Sequence, residues 1–154
     1  MPSSHTLILG LGNPIMGDDG VGWRVAERLR GHPLIPGVEV DQLAGGGIGL
    51  MERLIGYQRA VIVDAIYTGK FPIGSVHVFG LEELENSFAG HLGSAHETNL
   101  RTALELGRRL GVALPEIVTV VAIESQYVYD FSEVLSPAVA ASVEGAVQAV
   151  LGLL

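Results

Sequence analysis

The chain has 154 residues and a formal net charge of −8 at pH 7; 48% of its residues are apolar and none is cysteine. The length predicts a single domain over residues 1–154, and the missing cysteine excludes disulfides, a thiolate nucleophile and sulfur ligands for a metal. One lysine and eight arginines leave no basic stripe for a nucleic acid, and no apolar run reaches the ~20 residues of a membrane span, so we expect a cytoplasmic protein that neither binds nucleic acid nor inserts into a membrane.

Short runs rich in Val and Ile alternate with segments of helical period, which is typical of a parallel sheet covered by helices on both faces. The runs predict strands at 6–11, 37–43, 60–64, 74–79 and 116–123, most of them buried on both faces. Helices are predicted at 19–31, 47–56, 95–110 and 137–153. The fold class is therefore α/β, with three layers and a mostly parallel five-stranded sheet.

The first strand runs into the glycine-rich segment LILGLGNPIMGDDGVG, residues 7–22. A dinucleotide-binding turn needs G-x-G-x-x-G, but after Gly10 and Gly12 the third glycine is missing and Gly17 comes two residues late. The aspartates that follow would repel a phosphate. Nucleotide binding nevertheless stays an alternative, because Asp41 lies where a dinucleotide-binding protein has the acid that binds the ribose. We interpret the glycines as room for a tight turn that lets a substrate approach the backbone.

The two aspartates of this segment have different interpretations. Asp18 is a suitable N-cap for a helix that begins at Asp19, and acidic residues in a first helical turn favour the helix dipole. Capping explains one aspartate and leaves Asp19, at the carboxyl end of the first strand, where open α/β sheets bind their ligands.

Two later residues have the chemistry of metal ligands. Asp64 closes the apolar run AVIVD, so its carboxylate must be solvated, paired or bound to a cation, although an aspartate that enters a turn is also common. Ser94 and Glu97 have capping-box spacing and predict a helix with His96 in its first turn, where the helix dipole favours the neutral, metal-binding imidazole. His91, in the preceding loop, is the competing histidine.

Asp19, Asp64 and His96 lie on three segments that the predicted topology brings to one edge of the sheet. Two oxygen ligands and one nitrogen ligand suit zinc, nickel or manganese, with positions left for water or a substrate. The spacing does not distinguish between these metals.

Five motifs spread over nearly the whole chain are GLGNPIMGDDGVG, AGGGIGLMERL, VIVDAI, the histidine in SAHETNL, and LSPAVAASV. Through them the chain resembles the nickel-iron hydrogenase maturation endopeptidases. Peptidyl-tRNA hydrolases also begin with a GLGNP stretch, but this chain lacks the threonine, arginine, histidine and asparagine segment that follows it in them.

The resemblance implies a twisted, mostly parallel sheet between helices in one hydrogenase maturation protease domain. It implies a protease that removes a C-terminal extension from a nickel-iron hydrogenase large-subunit precursor after nickel insertion, acting as a monomer. The family's catalytic and metal-contacting positions fall on Asp19, Asp64 and His96, and they would recognise nickel carried by the precursor. We expect zinc or cadmium to substitute for nickel in vitro.

The chain departs from the family in the segment Ala44–Gly45–Gly46–Gly47, where many members have an aspartate, two glycines and a threonine. That stretch is linked to substrate selection in the family, so the departure bears on which hydrogenase is the partner.

The sequence contains no evident nucleophile, so peptide hydrolysis would fall to a water molecule activated by metal or by a carboxylate. Asp18 and Glu124 are candidate bases. Two alternatives stay open at this point: a non-catalytic nickel-binding chaperone that uses the same three residues, and a nucleotide-binding α/β module.

Overall fold

The computed structural model describes residues 5–34, 36–83, 95–127 and 130–154, and for residues 95–99 the description covers the backbone. The strands are β1 Thr6–Leu11, β2 Val38–Leu43, β3 Arg59–Ile66, β4 Val76–Gly80 and β5 Ile117–Glu124. The longer helices are α1 Val21–Arg30, α2 Gly47–Leu54, α3 Ala95–Leu110 and α4 Pro137–Leu153. A 3-10 turn, Gly17–Gly20, precedes α1.

The strands form a single sheet in the order β2-β1-β3-β5-β4. Neighbouring strands are parallel except for β4, which runs antiparallel to β5 at one edge. The predicted mostly parallel sheet is confirmed. The prediction that most strands are buried on both faces is confirmed by β1, β3 and β5, whereas β2 and β4 are half-buried because they lie at the edges of the sheet.

Helices cover both faces of the sheet and make a three-layer structure. Helices α2 and α3 pack on one face through buried residues that include Leu50, Leu54, Leu100 and Leu104. Helices α1 and α4 pack on the other face through Val21, Val25, Val143 and Val147. Each such side chain stabilises the fold by about 1.5–3 kcal/mol when fully buried, so the two apolar layers hold the sheet in place.

Glycines allow α1 to approach the sheet closely. A side chain at Gly10 would overlap the backbone oxygen of Gly22, and a Cβ at Gly22 would lie 2.6 Å from the backbone oxygen of Leu11. In a dinucleotide-binding turn, the third glycine allows the helix to pack closely on the strand. Here Gly22, twelve residues after Gly10, has that role.

The helix boundaries are confirmed for α3 and α4 and differ at the first two helices. Helix α1 begins at Val21 because the residues before it form the 3-10 turn. Helix α2 ends at Leu54 because Ile55 is extended and Gly56 has a φ of +91°.

The third strand continues to Ile66, two residues beyond the prediction, because β5 pairs with it as far as Glu124. Asp64 therefore lies inside the strand rather than at its end. Within the described residues no helix combines the length and apolar character needed to cross a membrane.

The strand order reverses between β1 and β3, since the chain leaves β1 for β2 on one side and returns to β3 on the other. In open α/β sheets the crevice at this switch point, outside the carboxyl ends of the strands, is where ligands bind. A ligand site is therefore expected at the segments that follow β1 and β3.

Candidate active site

Asp19 is half-buried in the 3-10 turn after β1, and hydrogen bonds from two segments hold its carboxylate. The backbone N–H of Asn13 donates to Oδ2 at 2.9 Å, and the hydroxyl of Tyr67 donates to Oδ1 at 3.1 Å. Because Asn13 follows β1 and Tyr67 follows β3, the carboxylate is fixed at the switch point between these strands.

The turn reaches this geometry because the chain folds tightly back on itself. Gly12 has a φ of +139°, and a side chain there would overlap the backbone oxygen of Asp19. A Cβ at Gly20 would lie 2.9 Å from the Cα of Pro14. The space beside these glycines is filled by the chain's own backbone, which corrects the interpretation that it admits a substrate.

Asp64 is the second carboxylate of the site and is 6% exposed. Its Oδ1 accepts a hydrogen bond from the N–H of Ala65 at 2.8 Å. Alternation along β3 places Asp64 on the same face as Ile62 and Ile66, which belong to the layer packed by α2 and α3.

The charges of Asp19 and Asp64 both affect the pKa of the Tyr67 phenol. Burial, then the charge and hydrogen bond of Asp19, then the charges of Asp64 and Asp18, raise the pKa of Tyr67 well above its usual range. The phenol is therefore a neutral hydrogen-bond donor at physiological pH. The 3-10 turn that carries Asp19 contacts β3, which carries Asp64, so the structure places both residues at the same edge of the sheet.

His96 is the second residue of α3, which packs on the face of the sheet that carries Asp64. Its side chain lies outside the described part, as do His91, Ser94 and the side chain of Glu97, so the capping box and the third ligand stay predictions. Among the described side chains, which leave out His96, no three His, Asp or Glu residues form a group able to hold a metal ion.

Asp18 does not cap α1, which corrects the sequence prediction. Its side chain is fully buried and accepts hydrogen bonds from the N–H of Gln126 at 2.9 Å, the N–H of Ser136 at 2.6 Å and the Ser136 hydroxyl at 2.8 Å. It therefore ties the turn after β1 to the end of β5 and to the start of α4. This engagement argues against Asp18 as the base.

Glu124, the other candidate base, is also fully buried. Its carboxylate accepts hydrogen bonds from the N–H of Thr68 at 3.0 Å and from the Thr68 hydroxyl. Glu124 therefore anchors the loop after β3, and this role accounts for a buried carboxylate at the strand end without a part in hydrolysis.

Asp41, which kept the nucleotide alternative open, forms ion pairs on the surface. Arg53 Nε lies 2.5 Å from one oxygen of Asp41, and Arg30 lies 3.5 Å from the other. Burial opposes its ionisation, but the hydrogen bonds from Arg53 and from the N–H of Gln42, with the charges of Arg53 and Arg30, lower the pKa of Asp41. Its oxygens are thus engaged by arginines, as expected of a structural acid.

The substituted segment after β2 borders open space. A side chain added at Gly45, Gly47 or Gly49 would meet no other heavy atom within 4 Å. This part of the carboxyl edge is therefore an open surface, unlike the tightly folded turn that carries Asp19.

Sequence reasoning missed Tyr67 and Ser136. Tyr67 comes three residues after Asp64, and strand alternation predicts that it faces the opposite side of the sheet, toward α1 and the turn before it. That was an available signal. Ser136 precedes Pro137 at the start of a helix, which predicts a cap, but its partner Asp18 is 118 residues away.

Fold and site together define an α/β protein with two carboxylates at the switch point of a mostly parallel sheet. Residues 23–153 match the family model described as hydrogenase maturation protease, and the chain belongs to this family. The matched range contains Asp64 and His96 and begins four residues after Asp19.

Relatives and solved structures agree with this assignment. The hydrogenase 2 maturation protease of Escherichia coli K12 is 29% identical over 150 residues, which are 96% of this chain and 89% of that protein. The structure of the E. coli hydrogenase maturating endopeptidase HybD has a TM-score of 0.84 at 27% identity and covers 97% of this chain and 91% of its own. The NiFe hydrogenase maturation protease HybD of Thermococcus kodakarensis has a TM-score of 0.76 at 30% identity, with 97% and 98% covered. The α/β fold is confirmed, and the chain is an endopeptidase of the hydrogenase maturation class.

Proposed function

We propose that this protein removes the C-terminal extension of a nickel-iron hydrogenase large-subunit precursor after nickel insertion, and that Asp19, Asp64 and His96 contact the nickel held by the precursor. The observation that carries the proposal is the position of Asp19 and Asp64 at the carboxyl edge of the sheet, where the turn of Asp19 follows β1 and Asp64 lies near the end of the adjacent strand β3. Family membership supplies the reaction class, and the carboxylates supply a preference for a cation.

Nickel has the role of a substrate group in this proposal. Two carboxylates and an imidazole are suitable ligands for nickel, so contact with them would dock the precursor and hold the scissile bond beside the enzyme. Hydrolysis adds the hydroxyl of water to the peptide carbonyl carbon and a proton to the departing nitrogen. Because Asp18 and Glu124 are engaged inside the chain, we assign the carboxylate chemistry of the site to Asp19 and Asp64.

Exposed apolar side chains beside the turn support a protein substrate. Phe131 is 80% exposed, Val134 74% and Ile15 44%, and the N–H of Ser132 donates to the backbone oxygen of Ile15 at 2.8 Å. Clustered exposed apolar residues are typical of surfaces that bind another protein. This surface adjoins Met16, two residues before Asp18, so a docked precursor would cover the site as well.

The decisive experiment compares the precursor before and after nickel insertion. The purified protein is incubated with nickel-loaded and nickel-free forms of a precursor from the source organism, and release of the C-terminal peptide is followed by mass spectrometry. We expect cleavage of the nickel-loaded form. Equal cleavage of the nickel-free form would remove nickel from the recognition step.

Site variants test the assignment of residues and the chaperone alternative. Asp19→Asn, Asp64→Asn and His96→Gln are expected to abolish peptide release, whereas Glu116→Gln, an exposed acid just before β5 at the opposite edge of the sheet, should cleave normally. A wild-type protein that bound nickel from solution but released no peptide would support the chaperone instead. Zinc or cadmium in place of nickel in the precursor is expected to permit docking.

A further inference from the structure

We infer that Tyr67 is a positioning residue of the site: its hydroxyl holds the Asp19 carboxylate in the orientation in which Asp19 meets the nickel of the precursor. The inference rests on the proposed function and adds to it a residue that acts through Asp19.

The position of Tyr67 in the fold brings its side chain under the turn. Alternation along β3 directs Asp64 toward the layer of α2 and α3, and Tyr67 beyond the strand end toward the layer of α1 and α4. The turn that carries Asp19 leads into α1. Tyr67 therefore supports Asp19 from the side opposite to Asp64.

Two hydrogen bonds from separate segments define the plane of the Asp19 carboxylate. Tyr67 donates to Oδ1 at 3.1 Å while the backbone of Asn13 donates to Oδ2 at 2.9 Å. Loss of one of these donors weakens the constraint on the orientation of the carboxylate. Carboxylates that bind metals are commonly held in this way, and loss of an outer hydrogen-bond partner typically lowers metal affinity about 10–100-fold.

The phenol ring is itself held in place. It packs against the apolar layer of α1 and α4, and the ring of Tyr127 meets it edge-on at a centroid distance of 5.3 Å. The hydroxyl is therefore presented from a fixed ring, and Tyr67→Phe removes the hydroxyl while it keeps the packing of the ring.

The experiment is a double-mutant cycle on binding of the precursor. Wild type, Tyr67→Phe, Asp19→Asn and the double variant are titrated with nickel-loaded and with nickel-free precursor, and the dissociation constants are compared. Tyr57→Phe is the matched control, because its hydroxyl also donates to a carboxylate, that of Glu39, just before β3 at the other edge of the sheet. KM for cleavage of the nickel-loaded precursor provides a second readout.

We expect Tyr67→Phe to weaken binding of the nickel-loaded precursor about tenfold and to raise KM by a similar factor. Binding of the nickel-free precursor should change by less than about twofold, and so should binding in the Asp19→Asn background, because the hydroxyl acts through Asp19. Tyr57→Phe should match wild type in every titration.

The outcomes separate the inference from the proposed function. Equal weakening for both precursor forms would assign the hydroxyl to general support of the fold, and a loss that persists without the Asp19 carboxylate would mean that Tyr67 contacts the precursor itself. Either result, or wild-type binding by Tyr67→Phe, overturns the inference while the wild type still cleaves. A wild type that neither bound nor cut the nickel-loaded precursor would overturn the proposed function and the inference together.

Discussion

Asp18 and Asp19 are consecutive residues of one 3-10 turn, yet they face different regions of the molecule. Asp18 faces inward, where two backbone N–H groups and a hydroxyl from Gln126 and Ser136 surround its fully buried carboxylate. These partners belong to the segment between β5 and α4. The inward region therefore uses a carboxylate to fasten distant parts of the chain.

Asp19, in the outward region, has different surroundings. Asp19 is half-buried in a turn that contacts β3, the strand of Asp64. The hydroxyl of Tyr67 and the backbone N–H of Asn13 donate to its carboxylate. Two neighbouring aspartates of one turn therefore differ in role: Asp18 stabilises the fold and Asp19 belongs to the candidate site. The hydrogen-bond donors around each carboxylate distinguish the two roles.

The largest effect on stability is expected at the inward residue. Asp18→Ala would leave the buried N–H groups of Gln126 and Ser136 without their acceptor, so we expect a loss of about 3 kcal/mol in the free energy of unfolding. Urea denaturation followed by circular dichroism measures it. Ser136→Ala removes the hydroxyl alone and should cost about 1 kcal/mol. Equal stability of Asp18→Ala and wild type would contradict the anchoring role.

At the outward residue the expected effect falls on activity. Asp19→Asn keeps the shape of the side chain and an oxygen acceptor, so the free energy of unfolding should change by less than about 1 kcal/mol. Loss of the charge should lower kcat/KM for the nickel-loaded precursor at least about 100-fold. Peptide release and urea denaturation on the same preparation check both values. A variant that lost stability and activity together would erase the distinction between the two aspartates.

A substitution at Gly12 is expected to disturb the turn that carries both Asp18 and Asp19. In Gly12→Ala the new methyl group would overlap the backbone oxygen of Asp19, at a φ of +139° that disfavours alanine. We expect a loss of about 2 kcal/mol in unfolding free energy, together with reduced peptide release. Gly49→Ala in α2 is the control, because nothing lies within 4 Å of the added Cβ; it should stabilise the protein by about 0.5–1 kcal/mol. A stable and active Gly12→Ala protein would mean that the turn adjusts easily.

Local patterns explain what could be predicted from the sequence. The apolar runs of β1 and β3 and the periodicity of α3 and α4 depend on neighbouring residues, so they predicted these elements to within about two residues. The edge of the sheet that carries Asp19 and Asp64 followed from the alternation of strands and helices. These features need no knowledge of long-range contacts.

The role of Asp18 could not be predicted from its neighbours. Locally it has the pattern of a helix cap, but donors 108 and 118 residues away engage its carboxylate instead. Gly22 was missed for a similar reason, since its use depends on where α1 crosses β1. Strand alternation predicts the side of the sheet that Tyr67 faces, but its hydrogen bond to Asp19 became visible once β1 and β3 were side by side.

The smallest expected effect is a pH dependence that belongs to the outward region. The pKa of Tyr67 is raised in the folded state, so above pH about 10 the unfolded chain releases the phenolic proton while the native state retains it. The stability that the protonated phenol contributes is complete below that pH and is lost as the pH rises. Tyr67→Phe lacks this group, so the difference in unfolding free energy between wild type and Tyr67→Phe should shrink by about 1 kcal/mol from pH 9 to pH 11. Parallel urea titrations of the two proteins at these pH values measure the difference. The contributions of the other titrating groups to the unfolding free energy cancel, because both proteins contain them. A difference that stayed constant would mean that the phenol ionises alike in both states, which would contradict the raised pKa of Tyr67 beside the Asp19 carboxylate.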